Sequence, residues 1–208
     1  MKLVCIGDTH NKHRELILPE GDVLIHAGDC TDAGTLRETR DFLEWFSAQP
    51  HKHKILIGGN HDYFFERSSS EEIAESIPDN IHYLQQETVQ LEGVTFWGSP
   101  YTPGSGRWAF QSERGAAMKK VWQEIPTNTQ VVVTHGPAYG IMDQVSDNTH
   151  IGCKELLHRI EEVQPEVHIS GHLHNSYGVV SIGKTRFVNC SSLDERLRSI
   201  HPPLSIDL

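Results

Sequence analysis

Five short apolar runs in this chain stop in the same way, and that regularity limits the fold more than any other feature. Leu3-Val4-Cys5-Ile6-Gly7 is followed by Asp8-Thr9-His10, and Val23-Leu24-Ile25-His26-Ala27 by Gly28-Asp29. Lys54-Ile55-Leu56-Ile57-Gly58-Gly59 leads into Asn60-His61-Asp62, Val131-Val132-Val133-Thr134 into His135-Gly136, and Val167-His168-Ile169-Ser170-Gly171 into His172-Leu173-His174. Runs this short, rich in β-branched residues and bounded by small ones, read as buried strands. In layered α/β proteins, ligands gather in the crevice beyond the carboxyl ends of the strands. Five such ends facing one crevice bring together Asp8, His10, Asp29, Asn60, His135, His172 and His174, with His61 alongside. That is the donor set of a dinuclear metal site, with Asp29 read as the carboxylate shared between two ions.

The remaining bounds are simple. A chain of 208 residues is read as one domain, 1–208, large enough for a substantial core. The 18 Lys and Arg against 28 Asp and Glu give a net charge of -10. An acidic chain lacks the basic track that holds long nucleic acid through its phosphates. The same charge says little about small phosphorylated substrates, because bound cations invert the local sign. Cys5, Cys30, Cys153 and Cys190 show no CxxC spacing and read as reduced intracellular thiols. No leader segment precedes the first run and no apolar stretch reaches membrane-spanning length, so a soluble, cytoplasmic protein without membrane partners is expected.

Taken in order, the chain predicts a loop from Asn11 to Glu20 and an amphipathic helix from Thr35 to Ala48. A short helix from Glu71 to Ser76 follows, with strands near Ile81–Tyr83, Thr88–Leu91 and Val94–Trp97, the last two joined by a Glu92-Gly93 turn. Residues 98–110 read as one long irregular segment. Helices are predicted from about Ser112 to Gln123 and Gly152 to Val163, then strands at Tyr177–Ser181, Thr185–Asn189 and Leu204–Asp207. Of the 14 histidines, His26 and His168 fall inside strands, and those outside the five strand ends read as surface or packing residues.

His61 lies beside the proposed metals without being needed as a ligand, which suits a general acid protonating a departing oxygen. Asp62 either orients that imidazole or caps the segment after it. Arg107, Trp108 and Phe110 form a candidate substrate wall, or else the aromatics pin the loop to the core. Cys30 adjoins Asp29, but no Cys-His-Asn signature supports it as a nucleophile.

The ordered set Asp8-x-His10, Gly28-Asp29, Gly59-Asn60-His61-Asp62, His135 and Gly171-His172-x-His174 resembles the calcineurin-like metallophosphoesterase superfamily. Gly98-Ser99-Pro100-Tyr101-Thr102-Pro103, Trp108-Ala109-Phe110, Thr134-His135-Gly136-Pro137 and Pro202-Pro203-Leu204-Ser205-Ile206-Asp207 sharpen the likeness toward its metallophosphoesterase-domain-containing (fetal-brain 239) branch. The resemblance implies an α/β (α+β) four-layer αββα sandwich, in which helices flank two mixed sheets. It also implies phosphodiesterase activity of the class III cyclic-nucleotide type on a small phosphodiester or nucleotide. One ion would be held by Asp8, His10, Asp29 and His174, the other by Asp29, Asn60, His135 and His172, with His61 as the acid. Two divalent cations about 3.5–4 Å apart can share a hydroxide that attacks phosphorus in line. Oxygen and imidazole donors without thiolate fit manganese, iron, zinc or nickel and do not choose among them; two divalent ions are expected, with manganese the first to try. Relatives acting on phosphoproteins carry Asp-Arg-Gly after the Gly-Asp segment and an Arg soon after Asn-His. Here Asp32 is followed by Ala33-Gly34 and Asp62 by Tyr63. Without that clamp for a dianion, a monoanionic diester is favoured, unless Arg107 supplies the clamp from its loop. The alternatives are a phosphomonoesterase or nucleotide pyrophosphatase, and a non-catalytic metal-binding scaffold. Sequence leaves the oligomeric state open.

Overall fold

A computed structural model describes residues 1–145, 149–198 and 200–208. Two large sheets face one another. The first has the order β13-β1-β2-β3-β4, built from Leu204–Asp207, Lys2–Ile6, Val23–Ala27, His53–Ile57 and His82–Tyr83. Strands β1 to β4 run parallel, and β13 closes the edge antiparallel to β1. The second sheet has the order β11-β12-β10-β9-β6-β5, formed by Gly178–Ile182, Thr185–Asn189, Val167–Ser170, Val131–Thr134, Val94–Ser99 and Glu87–Leu91. Its central strands β12, β10, β9 and β6 are parallel, and both edges are antiparallel. This is the mixed two-sheet architecture that the resemblance implies.

Strand alternation explains why four layers form. Successive side chains in a strand point to opposite faces. Leu3, Cys5, Ile25 and Ile55 of the first sheet pack between the sheets against Val131, Val133, Val167 and Ile169 of the second. Their neighbours Val4, Ile6, Leu24 and Leu56 face the other way, onto Phe42 and Phe46 of helix α1 (Leu36–Ser47). On the far side, Trp97 and Val132 meet Trp122 of α4 (Ala116–Gln123) and Ile160 of α5 (Lys154–Val163). Both faces of the central strands are therefore buried, which is why they read as continuous apolar runs. Each fully buried aliphatic side chain contributes about 1.5–3 kcal/mol.

Helix α1 begins where expected, with a reciprocal capping box between Thr35 and Glu38. The turn between β5 and β6 has both Glu92 and Gly93 at positive φ, 50° and 87°, matching the twist of a two-residue hairpin. Three expectations change. Residues Tyr63–Arg67 form a short helix, α2, ahead of α3 (Ser70–Ser76). The helix expected from Ser112 starts only at Ala116, because Gln111–Ser112 (β8) pairs with Thr102–Pro103 (β7) and Gly115 breaks the backbone at φ 83°. The segment after Trp97 is accordingly more ordered than predicted. Among the described residues, no helix is long and apolar enough to cross a membrane.

Candidate metal centre

Strands β1, β2 and β3 of one sheet and β9 and β10 of the other end on the same side, and the turns after them meet. The backbone bends sharply to deliver the side chains. Asp8, His10, Asp29 and His172 all adopt positive φ, at 49°, 39°, 55° and 67°. Such conformations are uncommon for residues bearing a side chain and cluster at functional sites. Gly28 ahead of Asp29 sits at φ 94°, a region open to glycine. Gly171 permits an equally close approach, since a Cβ there would stand 2.3 Å from Asp8 Oδ2.

The side chains form two groups of potential ligand atoms, each within 4.8 Å: Asp8, His10 and His174 in one, Asp29, His135 and His172 in the other. Asp29 joins them, its Oδ2 lying 3.3 Å from His135 Nε2 and 3.9 Å from His10 Nε2. Asn60 belongs with the second group, its Oδ1 2.9 Å from His135 Nε2. The structure thus brings all seven of these side chains into one crevice.

Backbone groups orient the rings. His135 Nδ1 donates to the Ala27 carbonyl at 2.9 Å, and His174 Nδ1 to the Leu193 carbonyl at 2.8 Å. Each leaves Nε2 as the atom available to an ion. The carboxylates are anchored likewise: the His172 N–H donates to both Asp8 oxygens, and the His61 N–H to Asp29 Oδ1 at 2.7 Å. Burial alone would raise the Asp29 carboxyl, but the imidazoles of His135, His10 and His61 hold it below the usual carboxylate range. Burial would lower His135, yet the charge and hydrogen bond of Asp29 carry it up to about 9. His172 is pushed down to about 4, chiefly by burial and then by His135.

The donors fit divalent cations. Among the described residues, both ring nitrogens of His10 are buried without a hydrogen-bond partner, an arrangement costing about 1–3 kcal/mol per group unless something engages them. Carboxylate, amide and imidazole donors without thiolate match intermediate and hard cations.

His61 stands at the rim. Its Nδ1 donates to the Asp32 carbonyl at 2.7 Å, and its ring lies 4.7 Å from His10 and 4.6 Å from Trp108. Trp108 is 48% exposed, as a stacking surface requires. Arg107 is exposed, with its carbonyl accepting from Tyr63 Oη at 3.1 Å. Phe110 does not line the crevice. It is buried against Tyr101 beneath Gly58, because its backbone N–H is pulled inward onto Glu66 Oε1 at 2.7 Å.

Asp62 does neither of the things expected of it. Its carboxylate touches no ring nitrogen of His61 and makes no cap to α2. It accepts instead from Gly59 N, Thr31 N, Thr31 Oγ1 and the Cys30 thiol at 2.8, 3.0, 2.7 and 3.3 Å, tying the Asp29 turn to the Asn60 turn. Burial, then the Asp29 charge, pushes its carboxyl up, opposed by those donors. Burial and Asp62 together raise the Cys30 thiol, which disfavours the nucleophilic thiolate. Asp32 is a further residue of the site that no strand-end pattern singles out. Its carbonyl holds His61, and its carboxylate groups with His10 and His61 within 4.8 Å. The spacing Gly28-Asp29-x-x-Asp32 was the available signal.

Comparison with known proteins identifies the family. The sequence profile of the calcineurin-like phosphoesterase family matches residues 1–176. The chain is 35% identical over 230 aligned positions to Metallophosphoesterase domain-containing protein 1 of Homo sapiens, covering 100% of this chain and 71% of that protein. UPF0046 protein K07C11.7 of Caenorhabditis elegans is 38% identical over 207 positions, covering 94% and 71% respectively. Among solved structures, TT1561 of Thermus thermophilus superposes with a TM-score of 0.63 at 13% identity, over 99% of this chain and 98% of that one. GAP50, the anchor in the inner membrane complex of Plasmodium, gives 0.53 at 13% identity, over 92% and 71%. These structural likenesses are of fold.

Proposed function

The chain belongs to the calcineurin-like phosphoesterase family, which implies a metal-dependent phosphoric ester hydrolase, and we propose that it hydrolyses small phosphodiesters, including nucleotide-derived ones. The observation that carries this reading is the pair of donor groups joined through Asp29. Asp8, His10, Asp29 and His174 would hold one divalent ion, and Asp29, Asn60, His135 and His172 the other. Two such ions supply an activated water and neutralise charge on phosphorus during in-line displacement.

The chain's own groups do the rest. Water oxygen bonds to phosphorus as the bond to the departing alcohol breaks, and His61 gives its proton to that alcohol's oxygen. The Asp32 carbonyl fixes His61 Nδ1 as a donor, so Nε2 is the nitrogen that delivers the proton. Trp108 beside His61 offers an aromatic face to a base or aryl leaving group. Diesters are favoured over monoesters because Ala33 directly follows Asp32 and Tyr63 directly follows Asp62, where an arginine would clamp a dianion.

The test is the initial rate of the manganese-loaded protein on bis-p-nitrophenyl phosphate and on p-nitrophenyl phosphate. Faster diester cleavage, reduced by roughly 10²–10⁴ in His61→Ala, is expected when a positioned acid is lost. Faster monoester cleavage would overturn the diester assignment, and no cleavage of either with metals bound would make the site a scaffold.

A further inference from the structure

An open groove of about 410 Å³ leads away from His172 and His174 on a side that includes neither His61 nor Trp108. Gln144 and Val145 form one wall, and Glu195 and Arg196 the other. Both walls are built. Asp143, fully buried, accepts from Gly140 N and Gly152 N at 2.8 and 3.0 Å and from His150 Nδ1. His150 Nε2 in turn takes the Gln144 side-chain amide at 3.3 Å, so a buried carboxylate holds Gln144 in place through one imidazole. Opposite, Asp194 Oδ1 accepts from the N–H groups of Arg196 and Arg198 at 3.0 and 2.8 Å, and Leu193, just before it, holds His174. Asn175 donates to Glu195. Among the described residues the Arg196 guanidinium has no carboxylate partner. In a chain of net charge -10, an unpaired arginine at the mouth of a phosphate site is available to an anion.

We propose that this groove receives the ester group that stays on phosphorus, and that Arg196 selects an anionic substituent there. The proposal rests on the phosphodiesterase reading. With the departing alcohol at His61 and Trp108, in-line geometry puts the retained ester oxygen at an equatorial position beside the metals. The groove beginning at His172 and His174 is open to what that oxygen carries. The substrate class is then a diester whose retained alcohol bears a carboxylate or second phosphate.

The test is calorimetric titration of the manganese-loaded protein with methyl phosphate and with 2-carboxyethyl phosphate, which differ only in the retained substituent. The wild type should bind the carboxyethyl compound about fivefold more tightly, the scale of one exposed ion pair. Arg196→Ala should close the gap, while Lys184→Ala, on the exposed turn between β11 and β12, should keep it. A wild-type ratio near one, or a gap that survives Arg196→Ala, overturns the proposal. Release of p-nitrophenol from methyl p-nitrophenyl phosphate is followed separately. A calorimetric gap that depends on Arg196 without any turnover would sink the hydrolase reading and leave the subsite standing.

Discussion

His61 Nδ1 lies 2.7 Å from the carbonyl oxygen of Asp32, so the ring beside the metal centre is oriented by the β2–α1 turn and not by its sequence neighbour Asp62. Backbone carbonyls do the same for His135 and His174. A carbonyl can only accept, so each bond fixes which nitrogen faces the crevice whatever the pH.

Asp62→Ala should therefore act on stability and loop position, not on the acid. It strands donors from Gly59 and Thr31, and the expected loss is about 2–4 kcal/mol. Urea unfolding checks this, and the alkaline limb of the pH–rate profile should stay at its wild-type position. A shifted limb with unchanged stability would return Asp62 to the role of orienting His61.

Gly171→Ala should cut metal affinity without removing a ligand. Its Cβ would stand 2.3 Å from Asp8 Oδ2, so either the carboxylate or the His172 turn must move. Loss of about a tenfold factor or more is expected when groups supporting ligands are displaced. Manganese titration of the variant beside the wild type decides it, and equal affinities would contradict the geometry.

Much of this site was legible in the sequence, for a physical reason. A strand that ends in a glycine or small residue and then Asp, Asn or His announces both its own end and its cargo. The convergence of Asp8, Asp29, Asn60, His135 and His172 follows from strand order alone. What was not legible depends on tertiary contact. Nothing local says that Phe110 turns inward while Trp108, two residues earlier, stays exposed; the Glu66 carboxylate from α2 decides that. Gln111–Ser112 pairs with Thr102–Pro103 across a loop, which periodicity cannot foresee. The same holds for Asp62, whose partners Cys30 and Thr31 lie far upstream in the chain, with Gly59 alone close by.

Metal affinity should rise with pH. Asp29 carries His135 up to about 9, above the ordinary value near 6.5, and an ion can use Nε2 only after displacing that proton. Below about pH 9 one proton leaves per ion bound there, so affinity should gain about tenfold per pH unit. Titrations at pH 6, 7 and 8 read the slope; a flat line would show that His135 binds no ion.

Fold stability should fall in acid. Burial pushes His168 down to about 3 and His26 well below its ordinary range. Between the ordinary value near 6.5 and about 3, the unfolded chain takes a proton on His168 that the folded chain refuses. Stability is thus fully present above pH 6.5 and declines as pH falls, by at most about 1.4 kcal/mol per unit for one such group. Urea midpoints at pH 7.5, 6 and 5 measure the decline. His168→Gln, chosen to keep a polar partner for the Thr134 hydroxyl of the 2.8 Å contact, should make the decline shallower and leave the part due to His26; an unchanged slope would contradict the assignment.

Asp29 is proposed to join two ions into one centre. Electron paramagnetic resonance of the manganese-loaded protein, with metal content from elemental analysis, tests it most directly. Two manganese ions per chain with an exchange-coupled spectrum, and loss of the coupling in Asp29→Ala, is the predicted result. A single ion per chain, or two ions whose spectra are independent in the wild type, would contradict it.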